Sequence, residues 1–181
     1  AANTAKDIVE LTNDKFDNTG VSATATTTVK LQVESSAIAG SGKVVSMNIY
    51  GKNSTAQSIT AQIGIGATKP VSDLTDLRDQ FNAYSATTGI SAQLSADKAS
   101  LMLVQDEGLD IVIENVDFAD VTTNVATTKF TATAFDHKQS VAGSAIAIHD
   151  SSYTTSVSDS FRASGIVTFH SSQSFSIVPE T

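Results

Sequence analysis

The feature that most constrains this chain is a short unit that occurs twice. Thr19-Gly20-Val21-Ser22-Ala23 returns as Thr88-Gly89-Ile90-Ser91-Ala92, position for position, with a single Val-to-Ile change. Each copy follows a helix-forming stretch. Ahead of the first, Thr4-Ala5-Lys6-Asp7 places a capping hydroxyl with an acid three residues on, and Ile8, Leu11 and Lys15, with Val9 and Phe16 nearby, give a loosely amphipathic period. This predicts a helix over 5–16 that ends near Asp17-Asn18-Thr19-Gly20, where Asn and Gly tolerate the left-handed backbone that stops helices. Ahead of the second copy, Ser72 can cap a helix over 73–84 whose Leu74, Leu77, Phe81 and Tyr84 share one face. A helix with a single apolar stripe cannot bury it alone, so each should lie across the sheet formed by the strands that follow.

Those strands are read from period-two alternation. Val21 to Ala25 leads into Val29 to Val33 as one strand or a broken pair. Lys43 to Tyr50 and Ser58 to Ile65 flank Gly51-Lys52-Asn53-Ser54 as a hairpin. After the second unit, 90–94, 99–104 and 109–114, separated by turns at Ala96-Asp97-Lys98 and Asp106-Glu107-Gly108, read as three consecutive antiparallel strands. Lys129 to Phe135, Ala145 to His149, and a pair formed by Gly165 to His170 and Ser174 to Val178 complete the pattern, with a Thr-rich loop or weak strand over 119–128. The fold class is therefore α+β: mainly antiparallel β-sheet with two short helices, each packed on a sheet, in a helix–turn–strand repeat.

Composition narrows the function classes. The 181 residues carry a formal net charge of −8, and the eleven Lys and Arg are scattered, which disfavours nucleic acid and anionic lipid as partners. Ser and Thr make up about a quarter of the chain, which suits strands with hydroxyl-rich outer faces. The absence of cysteine removes disulfides, thiolate chemistry and Cys-ligated metals. No apolar run approaches a membrane span, so membrane insertion is not expected, and Ala1 to Phe16 lacks the pattern of a Sec-type signal.

The candidates for chemistry are weak. His137 and His149 sit beside Asp136 and Asp150, but neighbours on a strand point to opposite faces and do not form an acid–base pair. His170 stands apart, and no nucleophile elbow or His-Glu-x-x-His motif occurs. The acids Asp106, Glu107, Asp110, Glu114, Asp117 and Asp120 lack the spacing of a calcium loop and read as turn and solvated strand positions, while Asn13-Asp14 with Asp17-Asn18 reads as a helix end. Asn53-Ser54-Thr55 is an acceptor-type sequon at a hairpin tip. Gly64-x-Gly66 lacks the rest of a nucleotide loop and more simply ends a strand. No catalytic, cofactor-binding or metal-ligating residue is assigned, no cofactor is expected, and an enzyme is not expected.

Ala5-Lys6-Asp7-Ile8, Asn18-Thr19-Gly20-Val21-Ser22-Ala23, and Leu77 to Phe81 followed by Thr88-Gly89-Ile90-Ser91-Ala92 resemble the repeated motif of bacterial flagellin central regions. Ser164 to Ile177 is similar to the segment with which many flagellins close their variable region. The resemblance implies the surface-exposed outer part of a flagellar filament subunit, contributing to filament surface, motility and antigenicity at the outside of the cell. It implies neighbouring flagellin subunits as partners, through parts of the protein outside this chain, and antibodies or host surfaces as further contacts. O-linked glycans on Thr26 to Thr28, Thr122-Thr123 or Ser151-Ser152 would also fit it. Because a projecting domain leaves and returns to the same filament core, residues 1–38 with 122–181 are expected to form an inner domain and 39–121 an outer one. The alternative is a carbohydrate-binding or adhesin module of another secreted surface protein, although sugar recognition favours exposed aromatic platforms and the eleven aromatics here mostly occupy apolar positions of the pattern.

Overall fold

The computed structural model describes residues 4–35, 43–64, 73–118, 128–151 and 158–177. Helix α1 (Ala5–Asn13) starts at the predicted capping box: the Asp7 amide donates to Thr4 Oγ1 at 3.4 Å and the Thr4 amide donates to Asp7 Oδ2 at 2.7 Å. A second single turn, α2 (Phe16–Thr19), ends on Gly20 at φ 64°, so the span expected as one helix over 5–16 is two helical pieces. The chain then enters β1 (Val21–Ser35), a single 15-residue strand rather than two. The second unit repeats the order as α3 (Thr75–Ala83), α4 (Ser85–Thr88) and β4 (Ile90–Leu94), with Gly89 at φ 71°. Ser72, the expected cap, lies outside the described residues; Asp73 Oδ1 accepts from the Thr75 amide at 3.0 Å.

Between the units, β2 (Lys43–Tyr50) and β3 (Gln57–Ile63) form the expected hairpin. Then follow β5 (Ser100–Gln105), β6 (Ile111–Phe118), β7 (Thr128–Phe135), β8 (Ile146–His149), β9 (Phe161–Ala163) and β10 (Ile166–Ser171). All strand pairings among the described residues are antiparallel. The larger sheet has the order β4-β5-β1-β7-β8, with β10 pairing the first half of β1, and the smaller has the order β3-β2-β6-β9.

Two sequence expectations about pairing are corrected. β4 and β5 pair, but β6 does not continue them: it crosses to the smaller sheet beside β2. The physical reason is the connection at 106–110. Gln105 is fully buried, and its Oε1 accepts from the Glu107 and Leu109 amides, so a side chain takes the bonds that a hairpin ladder would make. Thr27 Oγ1 then donates to the Leu109 carbonyl at 2.6 Å and fixes the crossover to β1. Of the expected pair over 165–178, β10 pairs β1, and the described part of the second arm, Ser174–Ile177, is not a strand. Phe169 of β10 faces Ala23 of β1 and packs edge-on against Phe175 with centroids 6.4 Å apart, so ring packing replaces a second strand.

The core draws on both sheets and α3. Val29, Leu31 and Val33 of β1, Ile49 of β2, Ile63 of β3, Leu77 and Phe81 of α3, Ile113 of β6 and Phe130 of β7 belong to one buried cluster. Phe118 of β6 and Phe130 of β7 bring the sheets into ring contact at 5.2 Å. Within the segments 1–38 plus 122–181, β1 pairs β7 and β10, and within 39–121 β2 pairs β3 and β6 and β4 pairs β5, while β1–β5 and β6–β9 pairs run between the two segments. Segment 119–127 lies outside the described residues.

Candidate functional site

The repeated unit is the most regular construction in the molecule. In each copy the threonine of the Thr-Gly turn reaches back to the preceding helical turn: Thr19 Oγ1 donates to the Lys15 carbonyl and Thr88 Oγ1 to the Tyr84 carbonyl, both at 3.0 Å. The same hydroxyls accept from the Val21 and Ile90 amides, both at 3.2 Å. The glycine supplies the left-handed backbone, and its amide closes the helical turn at 2.7 Å in both copies. Asn13, at the end of α1, donates through Nδ2 to the Ala23 carbonyl at 3.1 Å and accepts through Oδ1 from the Ala23 amide at 2.8 Å. Asn82 makes the same two bonds to Ala92, at 2.9 and 2.8 Å. The sequence places Asn13 only at a helix end and does not single out Asn82. The signal was present, since Asn13 precedes Ala23 by the interval at which Asn82 precedes Ala92.

The two helices differ in cover. Leu77 and Phe81 of α3 are fully buried against β3 and β4, whereas Ile8 and Leu11 of α1 are 41% and 61% exposed. Phe16 is exposed too.

The histidines occupy separate elements. His137 lies in the turn after β7, His149 ends β8, and His170 on β10 stands 3.2 Å from Thr24 Oγ1 through Nε2. Burial pushes the His149 imidazole below its ordinary pKa. Their neighbouring acids serve the backbone: Asp136 accepts from the Lys138 and Ser140 amides at 2.8 Å, and Asp150 accepts from the Phe118 amide at 2.7 Å. Among the described residues no cluster of His, Asp or Glu is arranged to hold a metal ion.

The acidic run is divided among different tasks. Glu107 forms ion pairs with Lys6 and Lys52, and Lys6 is the principal reason its carboxyl lies below the usual range. Asp110 pairs with Arg162, whose Nε donates at 2.7 Å, while its Oδ1 is buried without a partner. Asp117 is raised, first by desolvation and then by the nearby Asp150. Asp120 lies outside the described residues. Asn13 bonds to Ala23 through both its Nδ2 and its Oδ1.

The modification candidates are also constrained. Asn53 Nδ2 donates to the Ile49 and Thr55 carbonyls, so its amide nitrogen is occupied in shaping the hairpin turn. Thr27 and Thr28 are buried, which corrects the expectation that Thr26 to Thr28 forms an accessible cluster. Thr122-Thr123 and Ser152 lie outside the described residues, as does Gly66, while Gly64 ends β3's hairpin arm at φ 69°.

One open groove of about 680 Å³ lies along β2, β6 and β9, lined by Tyr50, Asp110, Val112, Glu114, Ser160 and Arg162. Tyr50, Val112 and Arg162 are cross-strand neighbours and therefore share its floor. Its carboxylate Asp110 and guanidinium Arg162 neutralise each other, which provides polar contacts without a free acid–base pair. The chain matches no protein-family model, and no curated protein matches it.

Proposed function

We propose that this chain is a structural module: the surface-exposed outer region of a filament subunit of the bacterial flagellin type. The observation that carries this reading is the twice-built unit of helix, Thr-Gly turn and strand, whose side chains are spent on backbone rather than on chemistry. A projecting surface domain needs rigidity and solubility. The net charge of −8 and the hydroxyl-rich strands provide solubility. The core shared by both sheets provides rigidity. Reading the parent gene on both sides of Ala1 and Thr181 tests the proposal. Long heptad-patterned helical segments on both flanks are the expected result, and flanks encoding a different kind of protein would end it.

The groove favours a second reading, a carbohydrate-binding or adhesin module. It combines an aromatic ring, Tyr50, with Glu114 and Arg162, the kinds of group that contact sugar rings and hydroxyls. Saturable binding on a glycan array that is lost in Tyr50→Ala would support it, and an array without saturable binding would remove it.

A further inference from the structure

We propose that, within the carbohydrate-binding reading on which this rests, the groove along β2, β6 and β9 takes a neutral oligosaccharide, with the Asp110–Arg162 ion pair reading its hydroxyls. Ile111 and Ile113 of β6 are fully buried, so Asp110, Val112 and Glu114 alternate with them and line the outer face. Tyr50 of β2 and Arg162 of β9 flank Val112 in register, and Thr4 and Leu109 add to the wall. Within this lining the protein's own contacts leave Asp110 incomplete. Its side chain is only 10% exposed, Oδ2 accepts from Arg162 Nε at 2.7 Å, and Oδ1 is buried with no donor. A buried acceptor left unpaired is costly, and beside a groove it marks where a ligand's donor belongs.

Charge decides which donor that is. The lining sets two carboxylates, Asp110 and Glu114, against one guanidinium, Arg162. Glu114 is half-buried and enters none of the ion pairs among the described residues. An anionic sugar meets these two acceptors and a guanidinium already neutralised by Asp110, so it finds no unpaired cation. An ammonium is held off Asp110 by Arg162, whose side chain is 60% exposed beside it. A neutral hydroxyl meets neither obstacle: it donates to Oδ1 or to Glu114 and accepts from the outward N–H groups of Arg162. Tyr50 and Val112 offer an apolar patch for the C–H face of a sugar ring. Oδ1 is closed to solvent in the free protein, so the ligand displaces the exposed Arg162 side chain as it enters, which makes Arg162 the gate. Asp110 and Glu114 lie four residues apart along the strand direction, roughly 13 Å, which exceeds one pyranose ring and calls for an oligosaccharide. The groove volume of about 680 Å³ suits a ligand of that size.

The test titrates the 181-residue chain with neutral gluco-, galacto- and manno-trisaccharides, a galacturonate trisaccharide and a chitosan trisaccharide, and repeats the series with Tyr50→Ala, Asp110→Ala and Arg162→Ala. The expected result is saturable binding of a neutral trisaccharide at least about tenfold tighter than either charged one, lost in Tyr50→Ala and weakened about tenfold in Asp110→Ala. Arg162→Ala removes the opposing cation, so the preference should move toward chitosan, whereas a merely structural ion pair would weaken every sugar alike. Equal binding of a charged trisaccharide by the unmodified chain would overturn the neutral class and leave the groove a sugar site. No saturable binding of any of the five would remove the carbohydrate reading as well. Neutral binding untouched by Asp110→Ala, in a variant with native circular dichroism, would overturn the role given to the ion pair. If that variant does not fold, Arg162→Ala decides, and an unchanged selectivity there sinks the proposal.

Discussion

At the residue scale, space around individual glycines separates positions that cannot change from those that can. A Cβ at Gly51 would lie 2.2 Å from the Thr88 carbonyl oxygen, the atom that accepts from the Lys52 amide at 2.7 Å. Both atoms belong to backbone, so neither can yield without moving the hairpin off the second unit. Gly51→Ala is therefore expected to cost about 2–3 kcal/mol in chemical denaturation. Gly143→Ala meets nothing within 4 Å and should change stability by less than about 0.5 kcal/mol. Asp117 carries a pH prediction. Its pKa is raised in the fold by desolvation and then by Asp150, so its contribution is fully present below the ordinary aspartate pKa and is lost as pH rises through the folded value. Asp117→Asn should raise the melting temperature at neutral pH and leave it unchanged in acid. Glu34 has the opposite sign, because hydrogen bonds from Thr131 and Lys129 lower its pKa and its contribution disappears as pH falls.

At the element scale, the two units share their turn chemistry and differ in what covers the helix. Phe81 is fully buried between α3 and its sheet, while Leu11 of α1 stands 61% exposed. Phe81→Ala should cost about 3–5 kcal/mol and Leu11→Ala less than about 0.5 kcal/mol, read from urea midpoints. Much of this scale was legible in the sequence. Thr4 with Asp7 announced a capping box, Gly20 and Gly89 announced left-handed turns, and Leu74, Leu77 and Phe81 announced a core stripe, because each is a local rule acting over a few residues. Tyr84, at the end of that stripe, is 36% exposed, since the helix has already turned into α4. Asn13 and Asn82 were not legible as parts of the repeated unit. Their partners lie ten residues away across a turn, and Asn near a helix end already has a simpler reading.

At the scale of the whole molecule, sequence reasoning fails where pairing is non-local. The hairpin of β2 and β3 is adjacent in the chain and was predictable. The partners of β1 lie on β5, β7 and β10, and no local signal names them. The crossover at 106–110 depends on the Gln105 side chain replacing ladder bonds, which period-two alternation cannot reveal. Because both sheets and α3 contribute to one core cluster, thermal unfolding should show a single cooperative transition with equal calorimetric and van't Hoff enthalpies. Two separable transitions would support the inner and outer division. The central claim, that the module forms the outer surface of a filament, is tested most directly by labelling filaments of the source cells with antibodies raised against residues 1–181. Regular decoration along the filament shaft is the predicted result, and label confined to secreted or cell-bound protein, with bare filaments, would contradict it.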